Sequence, residues 1–540
     1  MMVWEYRMID VHDKKNENFY NKNMHKLFFD TRKLDLRSRE NYGLSEEQMM
    51  ENAATGLEKA VRSCGIKKII ILCGKGNNGG DGYALARRLF AGEYLVKVCR
   101  IFEAESAMCI FEKKLYDLAG GIYCSREDIF IECKKDKCVI VDCVFGSGFH
   151  GQMEEKTADF FNKINELNAV KIACDIPSGL DNYGTFRGTV FKADITVTMG
   201  ADKMCFYSDC AKDICSKIYV ENLGISRELF EGDESYSDKI NIYLLEENDL
   251  ILPYRKMQNV NKGSFGHAAV VCGEKKGAAV LAASSALRFG AGLVTLVGKE
   301  NNFNAGDRIV FDSWGQSGVQ KEGFIPYELM CSNDFPLKTN ALACGMGLGR
   351  KKEDSDFIFN YLESHEELEC VFDADLFYSE NLFNYLKKYS GKRKIVLTPH
   401  PKEALELIKN TLPELYKEYS LDTQGIKKLV DERVNIVDAF CTKFKDTVLL
   451  LKGAVSLIGI HKTGEEKTNI FVNNMGSASL AKAGSGDVLS GMIVSLLAQG
   501  YDVLEAVKSA SLAHAKASVF GKNNFSLTPF ELIENLGELN

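Results

Sequence analysis

A two-domain α/β chain, each domain built on a mostly parallel sheet, is predicted by three observations. One rhythm recurs through both halves: a short β-branched run, a glycine-rich turn, then an amphipathic helical pattern, which is the signature of βα units. At 540 residues the chain is too long for a single hydrophobic core. Its 45% hydrophobic and 26% charged residues are those of an ordinary globular protein.

Taken in order, residues 1–30 are polar and mixed in charge, and read as a poorly ordered extension without the apolar core of a secretory signal. The first half then predicts strands at Lys68–Cys73, Tyr94–Ile101, Val139–Phe145 and Val170–Asp175. Ser226–Asp249 is charged and low in apolar periodicity, which divides the chain into domains at 31–235 and 236–540. The second half predicts strands that include Ala268–Cys272, Leu293–Val297, Ala341–Cys344, Val371–Asp373, Lys394–Leu397 and Thr447–Leu451.

The net charge of -8 is spread without a basic stripe, which argues against nucleic acid as the main ligand. Anionic small molecules stay compatible, because backbone amides bind phosphate without any lysine. No run of about 18 uncharged apolar residues predicts a membrane span. The 17 cysteines are scattered, many in apolar runs (Cys73, Cys174, Cys272, Cys344), and are expected to be buried reduced thiols of a cytoplasmic protein. With no Cys-x-x-Cys pair and eight isolated histidines, no structural zinc site is expected.

The first predicted strand runs into Gly74-Lys75-Gly76-Asn77-Asn78-Gly79-Gly80-Asp81-Gly82, followed by the helical pattern Tyr83–Phe90. Dense glycine between strand and helix lets amides point at an anion, aided by the helix dipole. A plain structural turn needs no such glycine density interleaved with Asn77, Asn78 and Asp81. Val141-Asp142-Cys143-Val144-Phe145-Gly146-Ser147-Gly148 places an acid inside an apolar strand before a second glycine loop. Asp175-Ile176-Pro177-Ser178-Gly179 ends a third strand with an acid. Ligands in open α/β sheets bind outside the carboxyl ends of strands, so the three loops are expected to converge. Oxygen ligands from Asn78, Asp142 and Ser178 suit a hard cation; alone, Asp142 reads equally well as a satisfied buried carboxylate.

With Met50-Glu51-Asn52-Ala53, these loops resemble the YjeF N-terminal domain, the epimerase half of the NAD(P)H-hydrate repair enzymes. The resemblance implies a Rossmann-like three-layer sandwich that interconverts the R and S hydrates of NADH and NADPH. It implies potassium held by Asn78, Asp142 and Ser178. Substrate is then held by Asn77, Asn78, Gly79, Gly80 and Asp81 and by Gly146, Ser147, Gly148, Phe149, His150, Gly151 and Gln152, with Asp175 as the catalytic acid/base near the reacting carbon. Lys203 falls where the family has a lysine, followed here by Met204-Cys205 in place of Pro-Gly.

In the second half, Ala483-Gly484-Ser485-Gly486-Asp487 precedes the apolar helical pattern Val488–Gln499. Amides of Gly484, Ser485 and Gly486 would form an anion hole for a transferring phosphoryl group, with Asp487 placed to take a proton from an attacking hydroxyl. An aspartate that only caps a helix is the plainer alternative. Three further strand ends weigh against it: Leu451-Lys452-Gly453-Ala454, Leu397-Thr398-Pro399-His400-Pro401-Lys402-Glu403, and Cys344-Gly345-Met346-Gly347-Leu348-Gly349. Asp373-Ala374-Asp375 adds paired acids suited to magnesium.

With Lys262-Gly263-Ser264-Phe265-Gly266-His267 and Gly290-Ala291-Gly292-Leu293-Val294, this set resembles the YjeF C-terminal domain, a ribokinase-like three-layer sandwich acting as the nucleotide-dependent dehydratase. Met346 and Lys402 stand where the family has proline and glycine, in loops expected to border the substrate. The resemblance implies catalysis by Asp487 and substrate contacts at Ala279, Gly347, His400 and Asp487. It also implies nucleotide contacts at Lys452, Gly453, Ala454, Val455, Gly484, Ser485 and Gly486. The expected co-substrate is ADP or ATP with Mg2+, and K+ belongs to the epimerase half. A cytoplasmic homo-oligomer acting on hydrated NADH and NADPH is expected. A ribokinase-like small-molecule kinase fused to a non-catalytic binding domain is the alternative; it gives no reason for the cation set beside Asp175.

Overall fold

The run-turn-helix rhythm folds into two sheets, each lying between layers of helices. The computed structural model describes residues 24–92, 94–232, 240–299, 325–419 and 432–540. In chain order the strands are β1 (His25–Lys26), β2 (Lys68–Cys73), β3 (Leu95–Arg100), β4 (Val139–Cys143), β5 (Val170–Cys174), β6 (Ala193–Met199), β7 (Cys215–Glu221), β8 (Asn241–Leu244), β9 (His267–Val271), β10 (Leu293–Val297), β11 (Met330–Ser332), β12 (Ala341–Cys344), β13 (Glu369–Phe372), β14 (Ile395–Leu397), β15 (Thr447–Leu451), β16 (Ser456–Ile460) and β17 (Asn469–Asn473).

Six of them form a wholly parallel sheet in the order β3-β2-β4-β5-β6-β7. The other sheet has 11 strands in the order β1-β8-β17-β16-β15-β14-β13-β12-β9-β10-β11. It is parallel from β15 to β11, while β16 runs antiparallel to both β15 and β17.

Side-chain alternation explains the layering. Ile69, Ile71 and Cys73 of β2 enter one apolar cluster, Ile70 and Leu72 another. Leu449 and Leu451 of β15 likewise separate from Val448 and Leu450. Strands covered on both faces must be apolar at nearly every position, and these runs are. The domains are also joined by core: Leu27, Leu180 and Phe206 share a cluster with Ile242, Val434 and Leu457. No helix among the described residues is long and apolar enough to cross a membrane.

Several expectations change. Residues 1–23 of the predicted extension lie outside the described residues, but its end is structured: β1 pairs with β8, Leu27 N–H donates to the Ile242 carbonyl, and Phe28 N–H to that of Asp202. That short segment therefore touches both domains. The charged stretch 226–249 contains β8 and a helix, Arg227–Glu231: the adjacent Ile242 and Tyr243 enter apolar clusters on opposite faces of the sheet, which holds β8 between β1 and β17. The helix expected from Tyr83 begins at Asn77. Cys133 and Cys138 form a disulfide, with Cα atoms 5.8 Å apart, against the expectation of reduced thiols. The chain turns back from the helix Arg126–Lys135 directly into β4, which brings these two together.

Candidate active sites

Strand order in the first sheet places β3 and β4 on opposite sides of β2, so the loops after β2 and β4 diverge and leave a crevice between them. A cavity of about 960 Å³ opens there. Asn77, Asn78, Asp81, Gly146, Ser147, Gly148, Phe149, His150, Gln152 and Asp175 line it, as predicted together. Gly79 and Gly80 do not. A side chain on Gly79 would meet the Gly74 carbonyl oxygen at 2.2 Å, and one on Gly80 the Met50 methyl at 2.8 Å. These glycines let the helix pack closely against its neighbours. Gly151 sits in the same exposed loop but away from the cavity wall.

Asp175 adopts φ 63°, an uncommon backbone for a non-glycine residue, at the end of β5. Its Oδ1 accepts from Lys203 Nζ at 2.8 Å and its Oδ2 from the Ser147 amide at 3.2 Å. Lys203 is 1% exposed and also donates to Thr198 Oγ1. Burial alone would raise the Asp175 carboxyl, but the Lys203 ammonium and the Ser147 amide outweigh it and hold the group below the usual range. Asp81 behaves oppositely: burial, then the Asp175 charge, push it well up.

Asn78, Asp142 and Ser178 also come together. Asn78 Nδ2 donates to the Phe145 carbonyl at 2.9 Å, and Ser178 Oγ donates to Asp142 Oδ1 at 2.7 Å. Asp142 Oδ2 accepts from the Ser178 amide. Burial raises Asp142 to about 6 against these hydrogen bonds. Asn78 Oδ1 is buried with no hydrogen-bond partner, so one oxygen of this set lacks a ligand.

The second site gathers the carboxyl ends of β13, β14 and β15 at the start of the helix Ser485–Ala498, where Asp373 and Thr398 meet Ser490 and Lys452 approaches Gly486. Gly484 caps that helix with φ 92°, where a side chain would strike Leu281 and Pro529 at 2.8 Å. Lys452 Nζ donates to Asp373 Oδ1 at 2.8 Å and lies near Gly486, whose built Cβ would be 3.1 Å away. Ser490, one turn after Asp487, donates to Asp373 Oδ2 at 2.7 Å. Burial first, then the Asp373 charge, raises Asp487 to about 6, against the pull of Lys452. Gly453 and Ala454 are exposed, Gly486 is half-buried, and Ser485 and Val455 are buried.

Other predicted residues fall differently. His400 caps its helix: Nδ1 accepts from the Lys402 and Glu403 amides, while half the side chain stays exposed near the site. Ala279 and Gly347 have no open surface, since Ala279 packs in the core and a Gly347 side chain would meet the Lys275 carbonyl at 2.5 Å. Met346 is likewise core, so its departure from proline does not face the substrate side. Lys402 is exposed. Asp375 Oδ2 accepts from the Gly349 amide at 2.9 Å.

Two acids were missed. Asp35, on the helix Arg32–Tyr42, lines the first cavity; burial, partly offset by Lys203, raises it to about 7. Glu403 accepts from the His400 amide and is raised to about 7 by burial, against Lys452. Glu403 lies in the glycine-free strand-end segment 398–403, whereas no local sequence pattern marks Asp35.

A family model described as NAD(P)H-hydrate dehydratase matches residues 268–537, and one described as YjeF-related protein N-terminus matches residues 46–205. The bifunctional NAD(P)H-hydrate repair enzyme of Helicobacter pylori is 40% identical over 509 residues, covering 94% of this chain and 98% of that protein. The enzyme of the same name from Coxiella burnetii is 30% identical over 489 residues, covering 88% and 90%. A solved ADP/ATP-dependent NAD(P)H-hydrate dehydratase from Bacillus subtilis, co-crystallised with ATP/Mg2+, is 23% identical, covers 53% of this chain and 92% of its own, and aligns with a TM-score of 0.40. With both halves matched and the leading relatives aligned almost end to end, this chain belongs to the family of bifunctional NAD(P)H-hydrate repair enzymes.

Proposed function

We propose that residues 31–235 interconvert the R and S hydrates of NADH and NADPH, and that residues 236–540 return the S hydrate to the reduced dinucleotide at the expense of ADP or ATP. One arrangement carries this division: Asp175 and Asp487 stand in separate sites, one clamped by a buried lysine and one left near neutrality.

Hydroxide is a poor leaving group near neutral pH, and a phosphate is a good one. Asp487 takes the proton of the ring hydroxyl as its oxygen attacks the terminal phosphorus, and the nucleotide departs one phosphate shorter. Amides at Gly484–Gly486 and the Lys452 ammonium stabilise charge on the transferring group. Phosphate then leaves with the carbon–oxygen electron pair, assisted by the ring nitrogen. Loss of a proton from the adjacent carbon restores the double bond.

In the first site Asp175, oriented by Lys203, serves the hydrated ring carbon, and Asp35 can hold or release a proton around neutrality. The orphaned Asn78 oxygen beside Asp142 and Ser178 is an all-oxygen set that fits potassium, which would supply fixed positive charge near the loops after β4 and β5. No three acidic, histidine or cysteine groups among the described residues converge as a metal site. Magnesium would enter with the nucleotide phosphates, with Asp375 and Glu403, which lie near each other, as oxygen donors.

A mixture of R and S NADH hydrate incubated with ADP or ATP tests both halves through NADH absorbance. Complete recovery is expected. No recovery with either nucleotide overturns the dehydratase assignment, and recovery that stops at the S portion overturns the epimerase.

A further inference from the structure

Lys212 belongs to the first domain, in the short helical turn Ala211–Asp213, yet its ammonium points into the second. Nζ donates to the carbonyls of Ala454 at 2.9 Å, Asn474 at 3.0 Å and Gly476 at 3.0 Å. An ammonium has three protons, so its whole donor capacity goes to backbone of the other domain. The acceptors lie on two separate segments. Ala454 is in the loop after β15, and Asn474 and Gly476 follow β17 on the way to Gly484.

Asp209, three residues earlier, grips the same loop from its other end. Its Oδ1 accepts from the Val455 amide at 2.8 Å and from Arg433 Nη2 at 2.8 Å, while Arg433 Nη1 donates to the Val455 carbonyl at 2.7 Å. Arg433 is 3% exposed, and a buried guanidinium left without its carboxylate is strongly unfavourable. Gly453 is pressed against this pair: a Cβ there would fall 2.0 Å from Arg433 Nη1 and 2.9 Å from Asp209 Oδ2. Yet Gly453 and Ala454 keep an exposed outer face. The loop is thus fixed from behind by the first domain and open toward solvent in front.

We infer that the first domain supplies two positioning residues, Lys212 and Asp209, that hold the nucleotide loop of the second domain in register with the helix start at Gly484. This rests on the assignment of Lys452–Val455 to nucleotide binding given above. It also supplies a physical reason for the fusion: the dehydratase site depends on backbone geometry that the neighbouring domain maintains. Simple domain glue would behave otherwise, because loosening it would disturb both activities and overall stability together.

The test uses the full chain with Lys212→Met, which preserves length and apolar stem while removing all three donors. Losing charge-assisted hydrogen bonds to a ligand loop should raise the KM and the titrated Kd for ADP or ATP by about tenfold. The KM for the S hydrate and the epimerase rate, which doubles as the folding control in the same preparation, should stay within about twofold. Lys212→Arg, which keeps several donors, should restore most of the nucleotide affinity. Unchanged nucleotide affinity in Lys212→Met overturns the proposal, as does an equal fall in both activities. Should Lys212→Met not accumulate as folded protein, Lys212→Gln is measured against Lys212→Arg, and equal nucleotide KM values in the two overturn the proposal as well. Lys452→Met separates the two assignments. If it too leaves nucleotide binding intact, the site itself is misplaced; if it alone weakens binding, only the role of Lys212 fails.

Discussion

The two candidate sites use the same residue type in opposite ways. Asp175 touches a buried ammonium at 2.8 Å and is held as an anion below the usual carboxylate range. Asp487 sits in a cluster where Lys452 is engaged by Asp373 instead, so burial and like charges lift it to about 6. Burial is the largest influence on both. What separates them is whether a cation is in direct contact, which decides between a permanently charged group and one that titrates near neutrality.

Neutralising the two carboxyls separately breaks this comparison most directly. Asp487→Asn should lower dehydration by roughly 10²–10⁴-fold with epimerisation intact, and Asp175→Asn should do the reverse by a similar factor. Separate assays on pure S hydrate and on R-to-S exchange read the two. Loss of both activities in either folded variant contradicts two independent sites.

Lys203→Met comes next. It leaves the Asp175 carboxylate buried without its cation, a change on the order of 3–5 kcal/mol when one partner of a buried pair is removed. Chemical denaturation should show the loss, and the surviving epimerase should need higher pH for activity, because Asp175 then titrates upward. An unchanged midpoint and pH profile would show that the pair is not what holds Asp175.

The pH profiles sharpen the contrast. A base must be ionised to act, so dehydratase kcat should fall with a one-proton slope as pH drops through about 6, where Asp487 protonates. Epimerase activity should instead carry a limb near 7 from Asp35, and Asp35→Asn should remove that limb while leaving the dehydratase profile alone. The smallest effect is expected from replacing potassium by a bulky organic cation: a severalfold loss of epimerase activity, no change in dehydratase, and no sensitivity left in Asp142→Asn.

Much of this was legible in the chain. β2, β10, β12 and β15 have the predicted bounds, since each is a continuous apolar run ended by glycine, lysine-glycine or another turn signal. The paired segments β16 and β17 were not foreseen: Ser456–Ile460 opens on serine and contains a glycine, and Asn469–Asn473 has asparagine at both ends. The glycines at 79 and 80, expected at the ligand, lie off the cavity wall and serve close packing. Glycine density reads as a loop by propensity, whereas here the absent Cβ serves helix packing, which propensity does not register. His400 stands between two prolines in the sequence, but its capping of the Lys402 and Glu403 amides appears only once the helix exists.

The sequence by itself determined the α/β class, the two-domain plan, and the chemistry-bearing loops, because strand apolarity, glycine turns and strand-end acids are local properties. Only the tertiary structure decided which carboxylate meets a cation, that Asp35 enters the first cavity, and that Lys212 reaches across to three carbonyls of the other domain. Those outcomes depend on distances between residues far apart in the chain. Burial and charge act through space, and spacing along a sequence does not encode them.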